Sequence, residues 1–116
     1  MVTATAPSID VVFRAFSDRT RLRLLSLLRG TGGAEVCVCD LVRVLGLPQA
    51  RVSRHLAYLR RAGLVTVRRD GAWRYYALAE AGTPFHRKLI ECLSCCFSEV
   101  PELRSDAKAL GAARCC

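Results

Sequence analysis

The sequence has no long apolar run, and no stretch of it approaches the roughly 18 to 20 apolar residues that span a bilayer. Its first eight residues lack the basic flank of a secretory signal peptide. Internal repeats and low-complexity segments are also missing, while 52% hydrophobic and 24% charged residues are ordinary globular usage. These absences argue against a membrane span, a secreted product, a repeat fold and a disordered chain. From 116 residues we expect a single soluble, cytoplasmic module.

Lysine is scarce throughout, and acidic residues are nearly missing from the middle of the chain. Only Lys88 and Lys108 are lysines among 18 basic residues, so almost all positive charge is guanidinium. A guanidinium group can bind phosphate or guanine through two hydrogen bonds, which an ammonium group cannot do. Residues 43–74 carry eight arginines and one acid, Asp70, which puts +7 of the total charge of +8 there. This imbalance indicates a segment that binds a polyanion.

Seven cysteines lie outside this basic segment, in three groups. The groups are Cys37 and Cys39, then Cys92, Cys95 and Cys96, and finally Cys115 and Cys116. In a reducing compartment an odd number of thiols favours metal or redox chemistry over a disulfide framework. No Ser/His/Asp set, phosphate-binding loop or pair of carboxylates is visible, so we expect neither enzyme activity nor an organic cofactor. The chain therefore divides into a sensing part and a polyanion-binding part.

Apolar spacing and helix-capping signals predict short helices in the first half of the chain. One covers residues 8–17, and a second follows the N-cap Asp18 and ends at Gly30. Two more helices, Val38 to Leu45 and Pro48 to Ala62, are joined by a tight turn at Gly46. The outline is helix, short turn, helix.

The apolar period changes to two beyond the fourth helix. Residues 64–69 and 73–78 flank Asp70–Gly71, a strong hairpin signal, and predict a two-stranded ribbon. A last amphipathic helix is predicted over residues 84–98, and Pro101 ends it. Residues 101–116 are predicted to form a polar, cysteine-containing helix or tail after a domain of residues 1–100.

The predicted fold is mainly α with a small β-hairpin, in the arrangement of a winged helix-turn-helix. In that fold the second helix of the pair enters the DNA major groove and the wing lies against the backbone. The candidates for base or phosphate contact on this helix are Gln49, Arg51, Ser53, Arg54 and His55. On the ribbon, Arg68, Arg69 and Arg74 are placed for phosphates, which give affinity without sequence information.

Five segments resemble the ArsR/SmtB family of metal- and metalloid-responsive repressors. They are FSDRTRL at residues 16–22, CVCDL at 37–41, PQARVSRHL at 48–56, LRRAGL at 59–64 and RDGAWRYY at 69–76. The resemblance implies a homodimer that binds palindromic operator DNA through the helix carrying Ser53, Arg54 and His55. It also implies release from DNA by an inducer and a dimer interface built from residues 9–16 and 85–97.

Cys37 and Cys39 stand at the predicted start of the third helix. The N-terminus of a helix lowers the pKa of a thiol, and the thiolate that results is a soft ligand that prefers thiophilic ions. A spacing of two puts their sulfurs on opposite sides of a regular helix but on one side of an extended chain, so we expect chelation to require a first turn that unwinds or begins later. The resemblance implies As(III) or Sb(III) bound by three thiolates in a trigonal pyramid. Val42 occupies the position of the family's third cysteine.

The predicted last helix carries three cysteines on one face, Cys92, Cys95 and Cys96. Together with Cys115 and Cys116 they could form a second site or supply the third ligand of the first site. The alternative for the three helical cysteines is packing at the dimer interface.

Three hypotheses remain open. The first is a repressor of an arsenic-resistance operon, released by As(III), Sb(III) or an organic trivalent arsenical. The second is the same repressor sensing Cd(II), Pb(II) or Zn(II) through a tetrahedral cysteine site. The third is a thiol redox switch at Cys37 and Cys39 or at Cys95 and Cys96, although both pairs are awkward for a disulfide. The expected partners are operator double-stranded DNA and a second copy, without a membrane or a protein substrate.

Overall fold

Six helices and three short strands make up residues 8–96 and 99–112, which are the residues that this computed structural model describes. In chain order they are α1 (Ile9–Phe16), α2 (Arg19–Gly30), β1 (Val36–Cys37), α3 (Val38–Leu45), α4 (Gln49–Arg61), β2 (Val65–Asp70), β3 (Trp73–Leu78), α5 (Pro84–Cys92) and α6 (Pro101–Ala112), with a 3₁₀ turn over Leu93–Cys96 after α5. Within these ranges no helix combines the length and the apolar content that crossing a membrane requires.

Helix α2 forms the centre of the core. Leu24, Leu25 and Leu28 are fully buried, and the helix packs against α1, α3, α4, α6 and β3. Its N-cap is Asp18, whose carboxylate accepts a hydrogen bond of 3.0 Å from the backbone N–H of Arg21, as the sequence predicts. The other functional elements are therefore positioned around one buried helix.

Helices α3 and α4 form the predicted helix-turn-helix. Helix α3 has the predicted bounds and ends at Gly46, whose φ of 67° is left-handed and whose N–H donates to the Val42 carbonyl at 2.9 Å. Pro48 is the N-cap of α4, which buries Val52, Leu56 and Leu59 against the core. Both predicted helices are confirmed to within one residue at each end.

The sheet has three strands, in the order β1-β3-β2, where a two-stranded ribbon was predicted. The additional strand, β1, pairs Val36 with Tyr76 and Cys37 with Tyr75. A strand of two residues is too short to show an alternating apolar pattern in the sequence. It forms because the edge of β3 is available for pairing. The hairpin turn also lies one residue later than predicted, because Asp70 pairs with Trp73 and the two-residue loop is residues 71–72, with a φ of 61° at its glycine.

The single helix predicted over residues 84–98 is wrong beyond Cys92, because the chain tightens there into the 3₁₀ turn. This change buries Leu93, which is 1% exposed. The α-helical spacing that predicted a shared face for these three cysteines therefore does not continue past Cys92. Residues 97 and 98 lie outside the described part of the chain.

Helix α6 begins at Pro101, which the sequence predicted as the end of the preceding helix. Proline is suited to this first position because the first turn of a helix makes no use of its N–H groups. Leu103 and Leu110 are buried, and the helix packs against α2 and α3. Two ion pairs fasten α6 to α2: Arg23 with the buried Asp106 at 2.8 Å, and Arg19 with the more exposed Glu102 at 2.9 Å. Of the predicted polar helix or tail, residues 101–112 thus form the helix, and they are part of the packed structure.

We expect Asp106→Ala to lower the free energy of unfolding by roughly 2–4 kcal/mol, because it leaves the guanidinium of Arg23 half-buried without its partner. Glu102→Ala, one helical turn away, is the matched control. Its exposed pair with Arg19 holds the pKa of Glu102 at about 2, but solvent screens it, so the loss should be much smaller. Urea denaturation followed by circular dichroism measures both. Equal losses would show that α6 is not held by the inner pair.

His86 is a buried polar residue of α5, 5% exposed, whose Nε2 has no hydrogen-bond partner in the described part of the chain. Its backbone N–H donates to the Thr83 hydroxyl at 3.1 Å. Burial lowers the pKa of His86 below its usual 6.5, which keeps the ring neutral.

Because the folded pKa of His86 is depressed, the unfolded chain binds more protons as the pH falls through 6.5. Stability contributed by the neutral ring is complete above that pH and is lost below it. We expect the free energy of unfolding to decrease on acidification from about pH 7 to 5, and His86→Leu to flatten that decrease. His55 titrates in both proteins, so the difference isolates His86. Identical pH profiles would contradict this assignment.

Candidate nucleic-acid interface and thiol pair

Helix α4 presents most of its predicted contact residues to solvent. Gln49, Arg51 and Arg54 are exposed and Ser53 is half-buried, all outside the buried stripe. Arg51 and Arg54 lie beside Arg61 and the α2 residue Arg21 around a recess of about 360 Å³. In residues 8–96 and 99–112, none of these four arginines forms an ion pair with a carboxylate.

His55 differs from the other four predicted residues of α4, because its ring faces α2. The ring Nδ1 lies 3.4 Å from Nη1 of Arg21 and 3.8 Å from a carboxylate oxygen of Asp18. Burial is the main cause that lowers the pKa of His55. The structure therefore places His55 where it fixes the orientation of α4 against α2, and not among the most exposed side chains of the helix.

Arg21 is a residue that the sequence analysis did not single out. Its Nε donates to the Ala15 carbonyl at 2.9 Å and its Nη2 to the Arg14 carbonyl at 3.0 Å, at the end of α1. The guanidinium also lies 4.1 Å from the centre of the Tyr58 ring on α4. One side chain thus joins α1, α2 and α4. The sequence did contain one indication of this contact: residues 51, 55 and 58 lie on one side of α4, which therefore could face another helix.

The wing carries three of the predicted arginines in two different settings. Arg69 and Arg74 are exposed and directly opposite each other in the β2–β3 register. Like charges in that position repel each other, and a bound anion would relieve the repulsion. Arg68 is instead held by Glu35, whose two carboxylate oxygens lie 2.9 and 3.0 Å from its Nε, and it covers the Tyr75 ring at 4.6 Å.

Cys37 and Cys39 lie at a junction between a strand and a helix. Cys37 is the extended residue before α3, with φ −65° and ψ 141°, and Cys39 belongs to the first helical turn. Their sulfur atoms are 3.0 Å apart, and both residues are thiols. Of the two arrangements predicted to allow chelation, an unwound first turn or a helix that begins later, the structure has the second, because the helix starts only after Cys37 and the sulfurs already lie together.

The remaining cysteines are not brought to this pair by the described structure. Cys92 and Cys95 are exposed thiols in and after α5. The side chain of Cys96 and residues Cys115 and Cys116 lie outside the described part. Across residues 8–96 and 99–112, no three Cys, His, Asp or Glu side chains gather where they would hold a metal ion.

Similar proteins agree with this geometry. Residues 18–67, from the N-cap of α2 into β2, match the family model described as bacterial regulatory protein, arsR family. The chain is 47% identical over 68 residues to the arsenic resistance transcriptional regulator ArsR1 of Pseudomonas putida, covering 59% of this chain and 52% of that protein. It is 40% identical over 80 residues to the arsenical resistance operon repressor of Escherichia coli, covering 69% and 67%.

The solved structure of the AntR antimony-specific transcriptional repressor aligns with a TM-score of 0.63 at 29% identity, over 81% of this chain and 80% of that one. The match to the Pseudomonas relative spans about half of that protein's length. The match to the Escherichia repressor covers two thirds of that protein's length. In the structure, α3 and α4 form the helix-turn-helix, and β2 and β3 form the wing that follows it. The chain belongs to the ArsR family of DNA-binding transcriptional regulators, which are not enzymes.

Proposed function

We propose that this chain represses an arsenic-resistance operon. As a homodimer in the cytoplasm it binds operator DNA through α4 and the wing, and it leaves the DNA when As(III), Sb(III) or an organic trivalent arsenical binds Cys37 and Cys39. The observation that carries the proposal is the pair of sulfurs 3.0 Å apart at the start of α3, directly before the helix that presents Arg51 and Arg54. Relatives named for arsenic and antimony support the same class of inducer.

The number of ligands at the pair favours a trivalent metalloid over a tetrahedral metal ion. A pyramidal metalloid needs one ligand beyond Cys37 and Cys39, whereas a tetrahedral site needs two. In residues 8–96 and 99–112 no third Cys, His, Asp or Glu side chain joins the pair in a group that could hold a metal ion. We assign the third ligand to a small thiol, to solvent or to one of the C-terminal cysteines, Cys115 or Cys116 in particular.

Two routes lead from the thiol pair to the DNA-binding surface. Helix α3 packs against α4, so a displacement of its first turn changes the orientation of Arg54. Cys37 is also paired with Tyr75 of the wing, and Glu35, two residues before Cys37, holds Arg68. Inducer binding at the pair therefore acts on both parts of the interface.

The second copy is supported by an apolar face on α1 and α5. Ile9 and Phe13 are 58% and 53% exposed, and the Phe13 ring lies 5.2 Å from the Phe85 ring at an interplanar angle of 59°. Exposed aromatic and aliphatic side chains that adjoin across two helices are typical of a protein interface. A two-fold dimer through this face would present two copies of α4 to a palindromic operator.

The inducer is tested by fluorescence anisotropy of the reduced protein on its promoter DNA, titrated with As(III), a methylated trivalent arsenical, Sb(III), Cd(II) and Zn(II). We expect release by the trivalent compounds, and we expect Cys37→Ser/Cys39→Ser to bind DNA without responding. Cys92→Ser/Cys95→Ser is the matched control and should respond. Arg54→Ala should abolish specific binding.

Full response of the Cys37→Ser/Cys39→Ser protein would move the sensor to the C-terminal cysteines. Release by Cd(II) or Zn(II) alone would establish the tetrahedral alternative. Release by a mild oxidant alone would establish the redox switch. The short distance between the two sulfurs also favours this alternative, because oxidation would join them in a disulfide.

The route through the wing is tested at Glu35. Glu35→Gln should tighten operator binding several-fold, because Arg68 becomes available to a phosphate, and should reduce the ratio of affinities without and with As(III). Glu80→Gln removes the same charge from another exposed position and is the control. Equal changes in both variants would reveal only the change in net charge, and the wing route would then be discarded.

A further inference from the structure

The recess beside α4 is lined mainly by arginines, two of which lie outside the predicted contact residues. It lies between the start of α2 and one flank of α4 and has a volume of about 360 Å³. Its lining residues are Arg21, Arg51, Arg54, His55, Tyr58 and Arg61. Tyr58 and Arg61 belong to neither the predicted contact residues nor the buried stripe.

Helical periodicity explains why these residues meet. Residues 51, 54, 55, 58 and 61 recur at intervals of three or four, so they follow one side of α4 for its whole length. Arg60, which is adjacent in sequence and also exposed, is not among the residues that line the recess. The recess is therefore a continuous feature of the flank that faces α2.

The recess concentrates positive charge around a fixed centre. Arg21 is held there by the Ala15 and Arg14 carbonyls and by the Tyr58 ring, so its charge cannot move away. Asp18 is the acidic residue nearest to His55 in the described chain, and its carboxylate is already bonded to the backbone N–H of Arg21. Several guanidinium groups with no carboxylate partner repel one another, and an anion between them removes that cost.

We propose that this recess binds one phosphate group of the operator backbone. Arg51, Arg54 and Arg61 supply the donors, and Arg21 supplies a fixed charge beside them and does not need to move on binding. The proposal rests on the proposed DNA-binding function and adds to it two residues outside the predicted contacts, Arg61 as a donor and Arg21 as a fixed charge, at a backbone site that positions α4 along its length. A free phosphate compound has the same chemistry, and the test distinguishes the two sources.

The adjacent arginines at the end of α4 provide a matched pair. Arg61→Gln and Arg60→Gln change the net charge equally, and both side chains are exposed, so neither variant should alter the thermal unfolding midpoint. Operator affinity is measured by anisotropy at several salt concentrations. We expect Arg61→Gln to weaken binding about tenfold near 0.1 M salt and to reduce the slope of log K against log salt by about 0.9, the value for one phosphate contact. Arg60→Gln should keep the wild-type slope.

A second arm titrates the wild type and Arg61→Gln with inorganic pyrophosphate at constant ionic strength, monitored by intrinsic fluorescence. We expect no saturable binding by either protein.

Equal salt slopes for Arg60→Gln and Arg61→Gln overturn the proposal. Saturable pyrophosphate binding that Arg61→Gln abolishes also overturns it, in favour of a free phosphate compound. Wild-type protein that binds the operator and is released by As(III) while the two slopes stay equal leaves the proposed function standing and removes only this site. Wild-type protein that does not bind the operator overturns both.

Discussion

The burial of the middle of α2, residues 24–28, is the constraint on which the rest of the structure depends. Leu24, Leu25 and Leu28 have no exposed surface, so the helix must be covered on several sides, and α1, α3, α4, α6 and β3 provide that cover. Arg21 extends this control to the surface, since it is anchored to the end of α1 and to α4. The orientation of the DNA-facing helix relative to the apolar face of α1 is therefore set at one helix.

The thiols and the positive charges occupy separate segments of the chain, yet they adjoin in the fold. Cys37 is both the last residue of β1 and the residue before α3, so it is connected by hydrogen bonds to the wing and by the chain to the helix-turn-helix. A rigid connection of this length requires no long pathway of side chains. In the proposed mechanism, a small displacement at the pair moves α4 and the wing together.

Local signals were sufficient for much of the fold. Asp18 as a cap, Gly46 as a helix end and the alternation around Gly71 each specify an element within a few residues, and those elements form as predicted. Strand β1 and the docking of α6 depend on partners distant in sequence; Asp106 and Arg23, for example, are 83 residues apart. No window of sequence contains that information. The same reason hid Arg21, whose side-chain partners lie on two other helices, α1 and α4.

The arginine candidates on the exposed side of α4 were recognisable because charge imbalance is a property of the sequence itself, but the environment of each residue was not. His55 faces α2, Arg68 is held by Glu35, and the two cysteines meet because the helix begins one residue later than the first of them. The contact partners, and with them the division of labour among these residues, are determined by packing.

Unequal exposure of the two sulfur-bearing residues has a consequence for kinetics. Cys37 is 2% exposed, whereas Cys39 is only partly covered. Under the proposed function, a thiophilic ion that arrives bound to a small carrier thiol exchanges its first ligand at Cys39. The second bond, to Cys37, would then form within one molecule and without a further collision, so its rate would be independent of protein concentration. The proposed capture is thus an ordered, two-step exchange that begins at the more accessible sulfur and ends at the buried one.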